Sequence, residues 1–129
     1  LVKRVKHAEL LKELLPQAHL IQQNTKGKAK ILQDMKDGKE PFEVIIGTFA
    51  LLGTGFDVPQ LDALILAGEV KSSVLTRQSC GRVLRIVEGK KPVIYDMHDN
   101  LHPIFNYQAK KRLELYKKND WEVIHSTDY

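Results

Sequence analysis

The chain has 129 residues, 43% of them hydrophobic and 28% charged, with 20 Lys and Arg against 16 Asp and Glu for a net charge of +4. That is one domain's worth of polypeptide with enough apolar residues for a core, which excludes a wholly disordered chain and a disulfide scaffold built on the single Cys80. No run approaches the roughly 18 apolar residues of a membrane span, and no basic-then-apolar leader opens the chain, so a cytoplasmic, reducing setting is expected.

The chain opens on LVKRV, at Leu1 and not at a methionine, so it reads as a strand already in progress and as a fragment of a longer polypeptide. HAELLKELL follows, with Leu10, Leu11, Leu14 and Leu15 at helical spacing before Pro16 stops the helix. AHLIQQ is a second strand. Thr25 is the expected N-cap of a basic helix through Lys28, Lys30, Ile31, Leu32 and Met35, closed by Asp37 and Gly38. FEVIIGT is a nearly continuous apolar run, as suits a strand covered on both faces. A glycine-rich loop, LDALILAG, a helix over TRQSCGRVLR and PVIYDM come next, and AKKRLELYKKNDWEVIH predicts a long helix, an Asn-Asp turn and a last strand.

About six strands alternating with helices imply an α/β fold with a mainly parallel sheet, helices on both faces and right-handed crossovers. Ligands gather at the carboxyl ends of such strands, and Thr48, Gly55 and Asp57 are expected on the same edge as Arg82 and Arg85.

Within TRQSCGRVLR, at about 100° per residue, Gln78, Arg82 and Arg85 fall within roughly 60° of one another, while Thr76, Cys80, Val83 and Leu84 take the opposite side. One helix face is buried and the other presents two fixed cations. In the loop GTFALLGTGFDVP, Gly53 and Gly55 permit close backbone approach, Asp57 projects a carboxylate and Pro59 fixes the exit. Each feature alone has an ordinary explanation. Glycines serve tight turns, an aspartate caps them, and arginines near a helix C-terminus are favoured by the macrodipole.

In this order and spacing, GTFALLGTGFDVP followed by QSCGRVLR resembles motifs V and VI of superfamily 2 helicases, and LVKRVKHAELLKELL resembles motif IV with its helix. The resemblance covers nearly the whole chain and is nearest to phage and bacterial helicases of the repair and restriction type. It implies a RecA-like, P-loop NTPase-like three-layer α/β/α domain, the C-terminal half of an ATP-dependent DNA helicase or translocase. By the same resemblance Arg82 and Arg85 would be the catalytic pair that reaches the nucleotide, one of them as arginine finger, with Gln78, Gly55 and Asp57 also on the nucleotide side. Thr48 and the nearby backbone at Gly47 would hold nucleic-acid phosphates, and Lys28, itself an ordinary surface cation, could extend that track. Thr54 stands where related helicases often carry Glu before the motif V glycine.

The chemistry suits these residue types. Phosphoryl transfer builds charge on the γ-phosphate oxygens, and a guanidinium supplies a permanently charged, planar fork of donors. Neither a Gly-x-x-x-x-Gly-Lys-[ST] loop nor the Asp-Glu pair for magnesium occurs in the chain. ATP and Mg2+ would therefore be held with an N-terminal RecA-like domain as partner, and this chain alone is expected to be inactive. DNA is a more natural partner than RNA for this branch, and no membrane is expected. Two further readings remain open: a non-catalytic nucleic-acid-binding or interaction module on the same fold, and the motor segment of a restriction enzyme.

Other features carry less. Asp96, His98, Asp99 and His102 lack a metal-ligand spacing and fall where a turn and helix cap are expected, so no metal site is assigned. Cys80 reads as a small buried hydrophobe, and Tyr116 and Trp121 as packing residues around the last helix. Lys3, Arg4, Lys6, Lys26 and Lys30 are ordinary surface cations that could extend a phosphate track.

Overall fold

The computed structural model describes residues 1–54, 57–68, 73–83 and 89–126. In chain order its elements are α1 (Val5–Leu14), β1 (His19–Ile21), α2 (Lys28–Lys36), β2 (Ile45–Gly47), a 3-10 helix (Phe49–Thr54), β3 (Ala63–Leu66), α3 (Ser73–Val83), β4 (Val93–Asp96) and α4 (Pro103–Lys118). The fold is α/β with parallel pairing throughout. β1 pairs with β2 in the register His19 to Ile45 and Ile21 to Gly47, and β3 pairs with β4 from Ala63 to Val93 through Leu66 to Asp96.

These are two two-stranded sheets, where the sequence predicts one sheet of about six strands. The N-terminal residues lie between them. Val2 bridges Thr48 in parallel, donating to the Gly47 carbonyl at 3.0 Å and accepting from Phe49 N at 3.0 Å. On the other side Leu1 N donates to Ile65 O at 2.6 Å, and Leu1 O accepts from Ala67 N at 3.0 Å, the alternation of a parallel ladder. The hydrogen-bonded order is thus β1, β2, Leu1–Val2, β3, β4. LVKRV yields only this short bridge because α1 already begins at Val5, and WEVIH forms no strand among the described residues.

Alternating side chains feed two cores. Val2, Ala8, Ala18 and Ile46 pack beneath α1. Ile21, Leu32, Met35, Phe49, Leu51, Leu64, Leu66, Cys80 and Tyr116 pack on the opposite face with the other helices. β2 is covered on both faces as expected, with Ile45 packed against the second core and Ile46 in the first. β3 and β4 are not: Ile65, Val93 and Tyr95 are exposed.

Local signals decided most boundaries. Pro16 disfavours the α conformation at the residue before it, and α1 ends at Leu14 with Leu15 at φ -127°. Of its leucines, however, Leu10 and Leu14 are exposed, and Ala8 is the buried residue, because a helix crossing close to the sheet seats its smallest side chain at the contact. Gly27 at φ 68°, and not Thr25, is the N-cap of α2. The Thr25 hydroxyl instead accepts from Gln22 N at 2.8 Å, the local competition to which short polar side chains are prone. Asp37 and Gly38, the latter at φ 74°, close α2 as predicted, and Asp120 at φ 57° makes the turn after α4. His102 caps α4, its Nδ1 accepting from Ile104 N at 3.3 Å with Pro103 at the first helical position. No helix among the described residues is long and apolar enough to cross a membrane.

Two glycines should respond in opposite directions. A Cβ on Gly68 would meet Lys3 N at 3.0 Å and Val2 Cα at 3.2 Å, main-chain atoms that cannot swing aside. Gly68→Ala should therefore loosen the N-terminal bridge and destabilise by about 1–3 kcal/mol. Gly81 lies inside α3 with nothing within 4 Å of an added Cβ, so Gly81→Ala should stabilise the chain by about 0.5–1 kcal/mol. Urea titrations of both variants check the pair, and equal signs would contradict this packing.

Candidate nucleic-acid and nucleotide interface

Because every described pair is parallel, the segment after each strand emerges on one edge. That carboxyl edge collects Lys3 and Arg4 ahead of α1, Gln22 through Gly27 ahead of α2, Thr48 after β2, Ala67 and Gly68 after β3, and Met97 through His102 after β4. The crossover helices run back, so α2 and α3 end near the opposite edge.

Gly47 is the last residue of β2. A Cβ there would meet Leu51 Cδ2 at 2.9 Å and the Ile21 carbonyl at 3.2 Å, so packing alone demands glycine. Thr48 follows at 5% exposure, bridged to Val2. Lys28 begins α2, and its ammonium donates to the Gln23 carbonyl at 3.0 Å. All three belong to the carboxyl edge.

Asp57 does not stand beside them. Its carboxylate lies 3.7 Å from Lys36 Nζ, the last residue of α2, and Gln60 Nε2 donates to the Met35 and Lys36 carbonyls at 3.1 and 2.6 Å. Asp57 and Gln60 are therefore held at the C-terminal end of α2. The expectation that Thr48 and Asp57 share one edge is corrected: Asp57 pairs with Lys36 at the end of α2, whereas Thr48 lies on the edge where α2 begins.

α3 packs against this same 3-10 helix, which brings the two motif segments together. Thr76, Ser79 and Cys80 are buried, while Val74, Arg77, Gln78 and Gly81 are exposed along one stripe. The buried side predicted for Thr76 and Cys80, and the outward side predicted for Gln78, are both present. The backbone at Arg82 belongs to α3, one turn after Gln78. The Arg82 side chain, Arg85 and Gly55 lie outside the described residues. Cys80 carries no exposed surface, and burial, with the Asp96 charge adding to it, pushes its thiol up to about 12. That makes it a poor nucleophile.

The residues of DMHDNLH have separate partners. Asp96 accepts from Arg112 Nε at 2.8 Å, from Arg112 Nη2 at 2.7 Å and from Tyr116 OH at 2.6 Å. His98 Nε2 sits 2.9 Å from Asn106 Oδ1, Asp99 Oδ1 accepts from Leu101 N at 2.9 Å, and His102 is the α4 cap. Arg112 is 5% exposed and its second nitrogen also reaches the Met97 carbonyl at 3.4 Å. Burial opposes its charge, but hydrogen bonds to Asp96 more than offset that and leave its pKa above the usual value. Burial first, then the bond to Asp96, push the Tyr116 phenol up as well.

Between α1 and the ends of β3 and β4 the carboxyl edge opens into a pocket of about 260 Å³, walled by His7, Gly68, Met97, Phe105, Gln108 and Arg112. It lies where connections diverge: Leu1–Val2 leads into α1 on one face, and β3 leads into α3 on the other. Sequence reading singled out neither Arg112 nor Gln108. A signal existed for the first, since Phe105, Ala109, Arg112 and Tyr116 follow the buried stripe of α4, and an arginine on such a stripe asks for a buried carboxylate.

No family model matches the chain. It is 37% identical over 81 residues to the uncharacterized protein 108L of Invertebrate iridescent virus 3, across 63% of this chain and 74% of that one. It is 33% identical over 133 residues to "Putative helicase 161L" of Invertebrate iridescent virus 6, covering 92% of this chain and 29% of the relative. With "Putative helicase 22" of a Sulfolobus islandicus filamentous virus it shares 28% identity over its whole length and 23% of the relative's. The chain thus spans about three quarters of the first protein and only about a quarter of the two helicases.

Proposed function

The chain belongs to one family with the iridescent-virus protein 108L and is related to viral proteins named as helicases, and from that premise we propose that it is the C-terminal, RecA-like half of a superfamily 2 helicase or translocase. One observation carries the reading: the helix bearing Gln78, Gly81 and Arg82 packs directly on the 3-10 helix that joins Thr48 to the Asp57 loop. Two segments some twenty residues apart are brought into contact, as a coupling device between strand and nucleotide requires. The parallel order through Leu1–Val2, with helices on both faces, supports the RecA-like architecture.

The labour divides by edge. Phosphates of a nucleic-acid strand would lie along the carboxyl edge, near Thr48, Gly47 and Lys28, where main-chain N-H groups and cations hold a backbone without reading its bases. The nucleotide would meet the opposite region, with Asp57, Gly55, Gln78, Arg82 and Arg85. That region receives helix C-termini, whose partial charge of about -0.5 repels an anion. Two full guanidinium charges outweigh it, which is why this end needs arginines where a helix N-terminus would not. ATP would bring the phosphoryl group and its magnesium, with most of their contacts on the other half of the motor.

Strand binding tests the reading on this chain alone. A labelled single-stranded oligonucleotide should bind with log Kd linear in log salt, and Lys28→Ala should lower that slope by about 0.7. Anisotropy titrations from 25 to about 200 mM salt measure it. No binding at low salt would remove the nucleic-acid half of the proposal.

A further inference from the structure

Independently of that reading, we propose that two copies of this chain form a two-fold dimer, in which α1 of each copy covers the bare face of β3 and β4 on the other. Parallel sheets are normally covered on both faces. Leu64 and Leu66 turn into the core shared with α3 and α4, but Ile65 and Tyr95, partners in the register, are 49 and 52% exposed, and Val93 opposite Ala63 is exposed with them. By strand alternation this bare side is the one that carries Ala67, which packs against the core beneath α1. α1 itself packs on β1 and β2. Two strands at ~4.8 Å spacing make a strip about 10 Å wide, and packed helices lie ~8–10 Å apart, so the strip beside α1 is one helix wide.

The helix that matches the strip is α1. At about 100° per residue Leu10, Leu11 and Leu14 fall within roughly 60° of His7, while Lys6, Glu9, Lys12 and Glu13 fall roughly 100° or more away from it. His7 shares a pocket wall with Ala67 and Gly68, so the leucine side of the helix turns toward β3. Lys12, on the other flank, donates to the Pro16 and Ala18 carbonyls ahead of β1. Leu11 is packed against the core, but Leu10 and Leu14 are 53 and 68% exposed. One face of the molecule thus carries a helix with an uncovered apolar side and, next to it, a sheet strip without a helix.

A two-fold axis running alongside α1 satisfies both at once, as an isologous contact does. The two α1 helices then lie side by side in a single layer, each on its own β1 and β2 and against the other copy's β3 and β4. Leu14 meets its symmetry mate near the axis, and Leu10 meets the strip that holds Ile65 and Tyr95 on the other copy. With Val93 and Met97, these side chains offer on the order of 600 Å² of apolar surface per copy, close to the ~800 Å² that each partner brings to a standard interface. A patch of that extent lies at the upper end of what monomers expose.

Sedimentation equilibrium of this chain, loaded from micromolar to near-millimolar concentration, should give a mass that rises from 14.7 kDa toward twice that value. Leu10→Glu and Tyr95→Lys should each weaken association by about 30-fold or more, as the loss of a buried anchor does. Far-UV circular dichroism should stay unchanged in both, because each side chain is exposed in the single copy. Mixed in equal amounts, the two variants should dimerise again, since a pair of unlike chains keeps one helix and strip unaltered and sets opposite charges against each other at the second. Should Tyr95→Lys fail to fold, Val93→Lys probes the same strip. The mass of a single chain at every concentration overturns the proposal. A dimer indifferent to Leu10→Glu overturns it in favour of two strips stacked without the helix, and a dimer lost in both variants that does not return on mixing overturns the exchange of helices.

Discussion

Arg82→Ala or Arg85→Ala, introduced into a complete motor polypeptide, is expected to lower ATP turnover by roughly 10³ to 10⁵ while the melting temperature stays within a degree or so. The magnitude follows from the work assigned to the side chain. A guanidinium aimed at the γ-phosphate acts where charge develops in the transition state, so its loss falls on kcat and much less on KM. Lysine should not rescue it, because a single ammonium cannot reproduce the planar fork. On the proposed reading, turnover measured under saturating single-stranded DNA would separate the two arginines, the finger being the one whose loss leaves ATP affinity nearly intact. Wild-type turnover in both variants would end the assignment. Among the described residues, the α3 face that holds the helix down is formed by Thr76, Ser79 and Cys80.

The elements legible from sequence were those written in local chemistry. Pro16 ended α1, Asp37 and Gly38 ended α2, and Asn119 with Asp120 turned the chain after α4, because each acts through its own backbone preference. The buried side of α3 was equally legible, since 3.6-residue periodicity needs no knowledge of what lies opposite. Long-range arrangement was not. Four leucines at helical spacing predicted an apolar seam on α1, yet the sheet admits Ala8 at closest approach, and which residue lies nearest depends on the crossing geometry of two elements. Thr48 and Asp57 are nine positions apart and were expected on one edge. Only the ion pair to Lys36 and the bonds from Gln60 reveal that Asp57 lies at the C-terminal end of α2. The bridge made by Leu1 and Val2 was hidden for the same reason, as two residues carry no periodicity.

The Asp96, Arg112 and Tyr116 network is where a single substitution should do most harm to the fold. Arg112→Met removes two hydrogen bonds at 2.8 and 2.7 Å and leaves the Asp96 carboxylate facing one phenol in a site where the arginine was 5% exposed. Stripping one partner from a buried pair costs about 3–5 kcal/mol, a large part of the 5–15 kcal/mol that holds a domain together. The variant should melt on the order of 10 °C lower. Removing the charges together should recover most of the loss, since well-packed apolar residues replace a buried pair at little net cost. Asp96→Leu with Arg112→Met and Tyr116→Phe is therefore expected to be more stable than Arg112→Met alone. A single variant that loses less than about 1 kcal/mol would show instead that water already screens the pair. The network also ties helix to sheet: the bonds of Arg112 to Asp96 and to the Met97 carbonyl hold α4 against the end of β4.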